Sequence, residues 1–100
     1  MITLKSEILE ELTREGTVIV DFFATWCGPC KMLSPVLESF AENNKTIQVI
    51  KVDVDTHKEV AMNYSVMSVP TLILFKDGKL VKRQSGYMTE ESLVKWIDLK

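Results

Sequence analysis

The spacing of apolar residues changes period several times along the chain. Ile8, Leu9 and Leu12 recur at helical intervals, with Ser6 placed to cap that helix and Gly16 to stop it. Residues 17–24 then form a nearly continuous apolar run rich in β-branched and aromatic side chains, the pattern of a central strand covered on both faces. A second helix is predicted from Cys27 or Gly28, with Met32, Leu33, Val36, Leu37 and Phe40 as its apolar stripe. Pro35 falls inside that stripe and predicts a kink, because it removes a backbone donor and crowds the carbonyl of Lys31. Asn43 and Asn44 end this helix, and residues 47–54 read as a further strand. Thr56 followed by Glu59 fits a capping box for a short helix through Ala61 and Met62. Residues 71–75 and 80–83 are strands joined by the turn-forming pair Asp77-Gly78. Thr89 caps a last helix that opens with Glu90 and Glu91 and buries Leu93, Trp96 and Ile97.

The predicted order is helix, strand, helix, strand, helix, hairpin, helix. Its first part is a βαβ unit with parallel strands and a right-handed crossover, and the hairpin adds antiparallel strands. The expected class is α/β, a central mixed β-sheet flanked by helices on both faces. No repeat, low-complexity tract or linker interrupts the chain, so residues 1–100 are expected to form a single domain.

Composition narrows the function classes. One hundred residues supply one core and not two. Apolar residues at 46% and charged residues at 26% are ordinary for a soluble globular protein. A net charge of −2 offers no basic stripe for nucleic acid or anionic lipid. No apolar run approaches the roughly 18 residues of a membrane span. The N-terminal residues enter a polar helical pattern without an apolar signal core, so a cytoplasmic location is expected. No nucleotide-binding motif is present, no bound cofactor or metal is expected, and a monomer is expected.

The chain has two cysteines, Cys27 and Cys30, and one histidine, His57. That is too few for a secreted disulfide scaffold or a four-ligand zinc site within one chain. The Cys27-Gly28-Pro29-Cys30 segment stands where a central strand hands over to a helix, a place where open α/β sheets carry chemistry. Residues three apart in a first helical turn share a face, with Cα atoms about 5–6 Å apart and within disulfide range. Cys27 at the helix N-terminus meets free N–H groups and the helix dipole, which favour its thiolate, while Cys30 should be less exposed. Pro29 suits the first turn, and Gly28 lets the backbone turn and leaves room for an incoming chain. So short a loop makes a poor structural staple, which favours a redox pair over a brace. A structural disulfide, half of a metal-bridged dimer site and two incidental thiols remain open alternatives.

Asp21 lies between Val20 and Phe22 in the central strand. Burial there would raise its pKa and make it a candidate general base for Cys30; the alternative is an edge-facing carboxylate in solvent. Lys51, between Ile50 and Val52, either pairs with Asp21 or packs its stem and sends its ammonium to water. Trp26 is either core or a partly exposed neighbour of the first cysteine. His57 is expected to be solvated at a helix start. The five methionines are expected mostly as core filler or loop residues, with Met67 near the site.

Trp26-Cys27-Gly28-Pro29-Cys30-Lys31, preceded by Asp21-Phe22-Phe23-Ala24, resembles the active-site segment of the thioredoxin family. Val69-Pro70-Thr71 and the residues up to Gly78 resemble that family's second signature, so the likeness spans nearly the whole chain. It implies a thioredoxin-like fold and protein-disulfide reductase activity, with Cys27 as nucleophile, Cys30 as resolving thiol and Asp21 as base through a water. Lys51 would pair with Asp21 and tune it. It also implies a cis Val69–Pro70 bond facing the cysteines, with the Val69 backbone binding an extended substrate segment. Trp26, Gly28, Pro29, Val69, Pro70 and Gly86 would form the apolar docking patch. The implied partners are disulfide-containing proteins and a thioredoxin reductase that draws on NADPH; the chain's own redox group would be the Cys27–Cys30 disulfide. Phe23, Ser85 and Tyr87 depart from the commonest family residues, which bears on partner preference.

Overall fold

A computed structural model describes residues 1–98. The chain forms β1 (Ile2–Thr3), α1 (Leu9–Leu12), β2 (Thr17–Phe23), α2 (Gly28–Asn43), β3 (Gln48–Asp53), α3 (Lys58–Asn63), β4 (Thr71–Lys76), β5 (Lys79–Ser85) and α4 (Glu90–Ile97). The strands make one mixed sheet in the order β1-β3-β2-β4-β5. β2 runs parallel to β3 and antiparallel to β4, which places the most apolar strand at the centre. β1 was not legible as a strand. It is an edge of two residues that pairs in parallel with β3, extended by the Leu4 N–H donating to Lys51 O at 2.8 Å.

Alternation along the central strands sorts their side chains to two faces. Val18, Val20, Phe22, Ile50, Val52, Ile73 and Phe75 pack with Leu9 of α1 and Ala61 of α3. Ile19, Val49, Leu72 and Leu74 pack on the other face with Leu33, Leu37 and Phe40 of α2 and Leu93 of α4. Both faces are therefore covered, as the pattern required.

Several local expectations need correction. Ser6 does not cap α1: the N-cap is Ile8, without a side-chain bond, and the helix stops at Thr13. Gly16, at φ +75°, instead joins the hairpin turn: its N–H donates to Asp77 Oδ1, and Asp77 N–H donates to Gly16 O, both at 2.9 Å. The Thr56 capping box does not form. His57 is the N-cap of α3, and its Nε2 lies 2.9 Å from Leu4 O, so it is half-buried and ties the edge strand rather than standing in solvent. α2 runs through Pro35 and ends at Asn43 with Asn44 as C-cap, as expected. Met32 is exposed, because α2 presents Cys30, Leu33, Leu37 and Phe40 to the sheet. Met1, Met62 and Met67 are exposed as well, leaving Met88 as the buried methionine. The Asp77-Gly78 turn and the Thr89 cap form as expected, with φ +50° and +86° in the turn and the Thr89 side chain accepting from Ser92 N–H.

Candidate active site

The strand-to-helix junction carries the two cysteines. β2 ends at Phe23, and Cys27 becomes the N-cap of α2, with Pro29 in its first turn. The helical turn brings the Cys27 and Cys30 Cα atoms to 5.3 Å, and the pair forms a disulfide. The Cys30 N–H donates to Cys27 Sγ at 3.2 Å. This N–H is one of the donors a helix N-terminus leaves without an internal partner, and it favours negative charge on that sulfur. The two residues are 5% and 4% exposed, so the expected difference in exposure is absent. The closed bond holds both against Ala24, with Phe23, Val54 and Val69 around them. The asymmetry of the pair is electrostatic.

Gly28 is exposed, its φ is not positive, and an added Cβ would meet nothing within 4 Å. Its backbone therefore does not need glycine to turn; its smoothness leaves space above the pair.

The loop before β4 faces Cys27. The Val69–Pro70 bond is cis, as the resemblance implied, and Val69 O lies 3.7 Å from Cys27 Sγ. Neighbouring carbonyls are occupied: Thr71 Oγ1 donates to Ser68 O at 2.7 Å, and the Gly86 N–H donates to Pro70 O at 2.9 Å. Pro70, a member of the docking patch that the resemblance implies, is buried. Gly86, at φ +95°, occupies a conformation that disfavours a side chain.

Trp26 is 69% exposed, and its Nε1 donates to Asp55 Oδ2 at 2.9 Å. It borders a hollow of about 190 Å³ with Val54, Val66, Met67, Ser68 and Val69. Asp55 was not singled out from sequence; nothing in an acidic residue 29 positions away signals a tie to this indole.

The central strand β2 carries a carboxyl inside the sheet. Asp21 is fully buried, and neither carboxylate oxygen has a hydrogen-bond partner among the described residues. Burial pushes its pKa up to about 7, against the opposing pull of the Lys51 ammonium. Lys51 is the register partner of Asp21 across β2 and β3. Its ammonium nonetheless does not bond the carboxylate, which corrects the expected contact pair. Nζ donates to Ser34 Oγ at 3.1 Å and sits 4.4 Å from the centre of the Phe23 ring. Lys51, Ser34 and Cys30 share a cleft of about 310 Å³ with Phe23, Ala24, Thr25 and Lys31. Ser34 also escaped the sequence reading.

No helix of the described residues is long and apolar enough to cross a membrane.

The thioredoxin family model matches residues 2–99. A thioredoxin of Chlamydia trachomatis is 55% identical over 82 residues, covering 82% of this chain and 80% of that protein. One from Mycobacterium tuberculosis is 50% identical over 95 residues, covering 94% and 82%. The X-ray structure of Fasciola hepatica thioredoxin superposes with a TM-score of 0.81 at 42% identity, covering 89% of this chain and 85% of that one. With the fold, the cysteine pair and these relatives together, the chain belongs to the thioredoxin family, as a thiol–disulfide oxidoreductase that reduces protein disulfides through the redox pair Cys27 and Cys30.

Proposed function

We propose a division of labour within the pair. Cys27 as thiolate attacks one sulfur of a substrate disulfide; that bond breaks, the other substrate sulfur leaves as thiolate, and a mixed disulfide forms. Cys30 passes its proton to Asp21 through a bridging water and attacks Cys27 Sγ. The Cys27–substrate bond then breaks, the second substrate sulfur leaves, and the Cys27–Cys30 disulfide closes. Two electrons have moved from the dithiol to the substrate. The observation that carries this order is the one-way contact of the Cys30 N–H with Cys27 Sγ. A sulfur bonded to a helix N–H is the better thiolate, and the thiolate is the nucleophile.

Substrates dock as extended segments over Trp26, Gly28, Pro29, Val69 and Gly86, with Pro70 setting the loop beneath them. The support is the orientation of Val69 O toward Cys27 while the carbonyls on either side are occupied. Main-chain recognition of this kind tolerates many sequences. Lys51 tunes Asp21 through space. The chain acts as one domain, residues 1–100, in the cytoplasm. A thioredoxin reductase using NADPH restores the dithiol.

A coupled assay tests the reading: NADPH consumption with insulin as the disulfide substrate and a bacterial thioredoxin reductase as donor. Turnover dependent on both proteins is expected. Reduced protein that leaves insulin intact would contradict the assignment.

A further inference from the structure

Asp21 and Lys51 stand side by side on β2 and β3, and their side chains leave the sheet on the face that α2 covers. A lysine in that place has two destinations for its ammonium: onto the carboxylate, or outward along the cleft. Here it goes outward, to Ser34 Oγ at 3.1 Å and over the Phe23 ring. The carboxylate is left fully buried and without a hydrogen-bond partner among the described residues. Ser34 lies on α2 four residues after Cys30, hence one turn along the same face, and both line the cleft that receives the lysine tip.

We propose that Ser34 is a positioning residue: its hydroxyl holds the Lys51 ammonium in the cleft, off the Asp21 carboxyl, and so keeps that carboxyl basic enough to take the Cys30 proton near neutral pH. The inference rests on Asp21 acting as the base. An ammonium brought against a carboxylate stabilises the charged form and weakens it as a base. Lys51 is the cation whose charge acts on Asp21, and β4 offers apolar Leu72 in register with it. Cys30 and Lys31 of α2 line the cleft that holds the lysine tip. Ser34 supplies a competing acceptor, and the Phe23 face a second attraction for the cation.

The test is a titration of the Asp21 carboxyl carbon by NMR in the oxidised, full-length protein. It compares the parent, Ser34→Ala, Ser34→Thr, Lys51→Met and the Ser34→Ala/Lys51→Met double variant. Ser34→Ala is expected to lower the midpoint by about one pH unit, the low end of what a facing cation does to a carboxyl. Ser34→Thr keeps the hydroxyl and is expected to restore the parent value. In the Lys51→Met background, Ser34→Ala is expected to add nothing. A midpoint that stays or rises in Ser34→Ala overturns the proposal, as does the same fall without Lys51. Stopped-flow rates of mixed-disulfide resolution supply the second readout, whose acid limb is expected to move with the titration. A titration that moves while the rate profile stays leaves Ser34's hold on Lys51 standing and overturns the base assignment on which its use depends.

Discussion

The backbone N–H of Cys30 points at Cys27 Sγ from 3.2 Å, where it favours negative charge on that sulfur. In the dithiol this contact is expected to become a charge-assisted hydrogen bond to a Cys27 thiolate. Of the two sulfurs, Cys27 is expected to be the one alkylated first near neutral pH. The rate of iodoacetamide alkylation against pH, with peptide mapping of the modified sulfur, measures it. Faster modification of Cys30 at pH 7 would contradict the assignment.

Asp21 links stability to pH. Its pKa rises from 3.8 to about 7 on folding because burial penalises the carboxylate. Between those values the folded state binds the proton that the unfolded chain has lost, so stability falls as pH rises through this window. The full penalty, on the order of 4 kcal/mol, applies above pH 7 and vanishes below the unfolded pKa. Asp21→Asn removes the titration and is expected to raise the Tm at pH 8, with the gain shrinking toward pH 4. Thermal melts across that range check it; a gain independent of pH would rule out ionisation as its cause.

Asp55 fixes an exposed indole. The Trp26 Nε1–Asp55 Oδ2 bond lies at the surface, so its net contribution to stability is small, about 0.5–1.5 kcal/mol at most. Its effect should fall on docking. Asp55→Ala is expected to leave the Tm within a few degrees of the parent while raising the KM for a protein substrate about threefold, consistent with a loss of that size. An unchanged KM would show that docking does not depend on this hold on the indole.

Two glycines separate backbone strain from crowding. Gly86 at φ +95° has open space where a Cβ would stand, whereas Gly78 at φ +86° would place its Cβ 3.3 Å from Arg14 O. Gly86→Ala is expected to cost about 1–2 kcal/mol, from the backbone alone. Gly78→Ala should cost more. Urea unfolding of the two variants measures the order, and equal costs would show that the Arg14 backbone yields.

The sheet and its helices were legible because the core strands change period sharply and because the Asp77-Gly78 and Thr89 signals are local. β1 was hidden: two residues carry no period, and Ile2 and Thr3 become a strand by docking on β3. The Ser6 and Thr56 caps failed because a capping residue can be named from sequence while the first helical residue is set by tertiary packing. The burial of Asp21 was legible from its apolar flanks. The outward turn of Lys51 was not, since it depends on Ser34, which is 17 positions away and reaches the lysine only when α2 lies over the sheet.

The proposed division of labour turns on which sulfur attacks. Cys30→Ser and Cys27→Ser variants, each reduced and mixed with a disulfide-containing protein substrate, should be separated on a non-reducing denaturing gel. The account predicts a covalent complex with Cys30→Ser that dithiothreitol dissolves, and none with Cys27→Ser. Complexes formed equally by both variants, or only by Cys27→Ser, would contradict it.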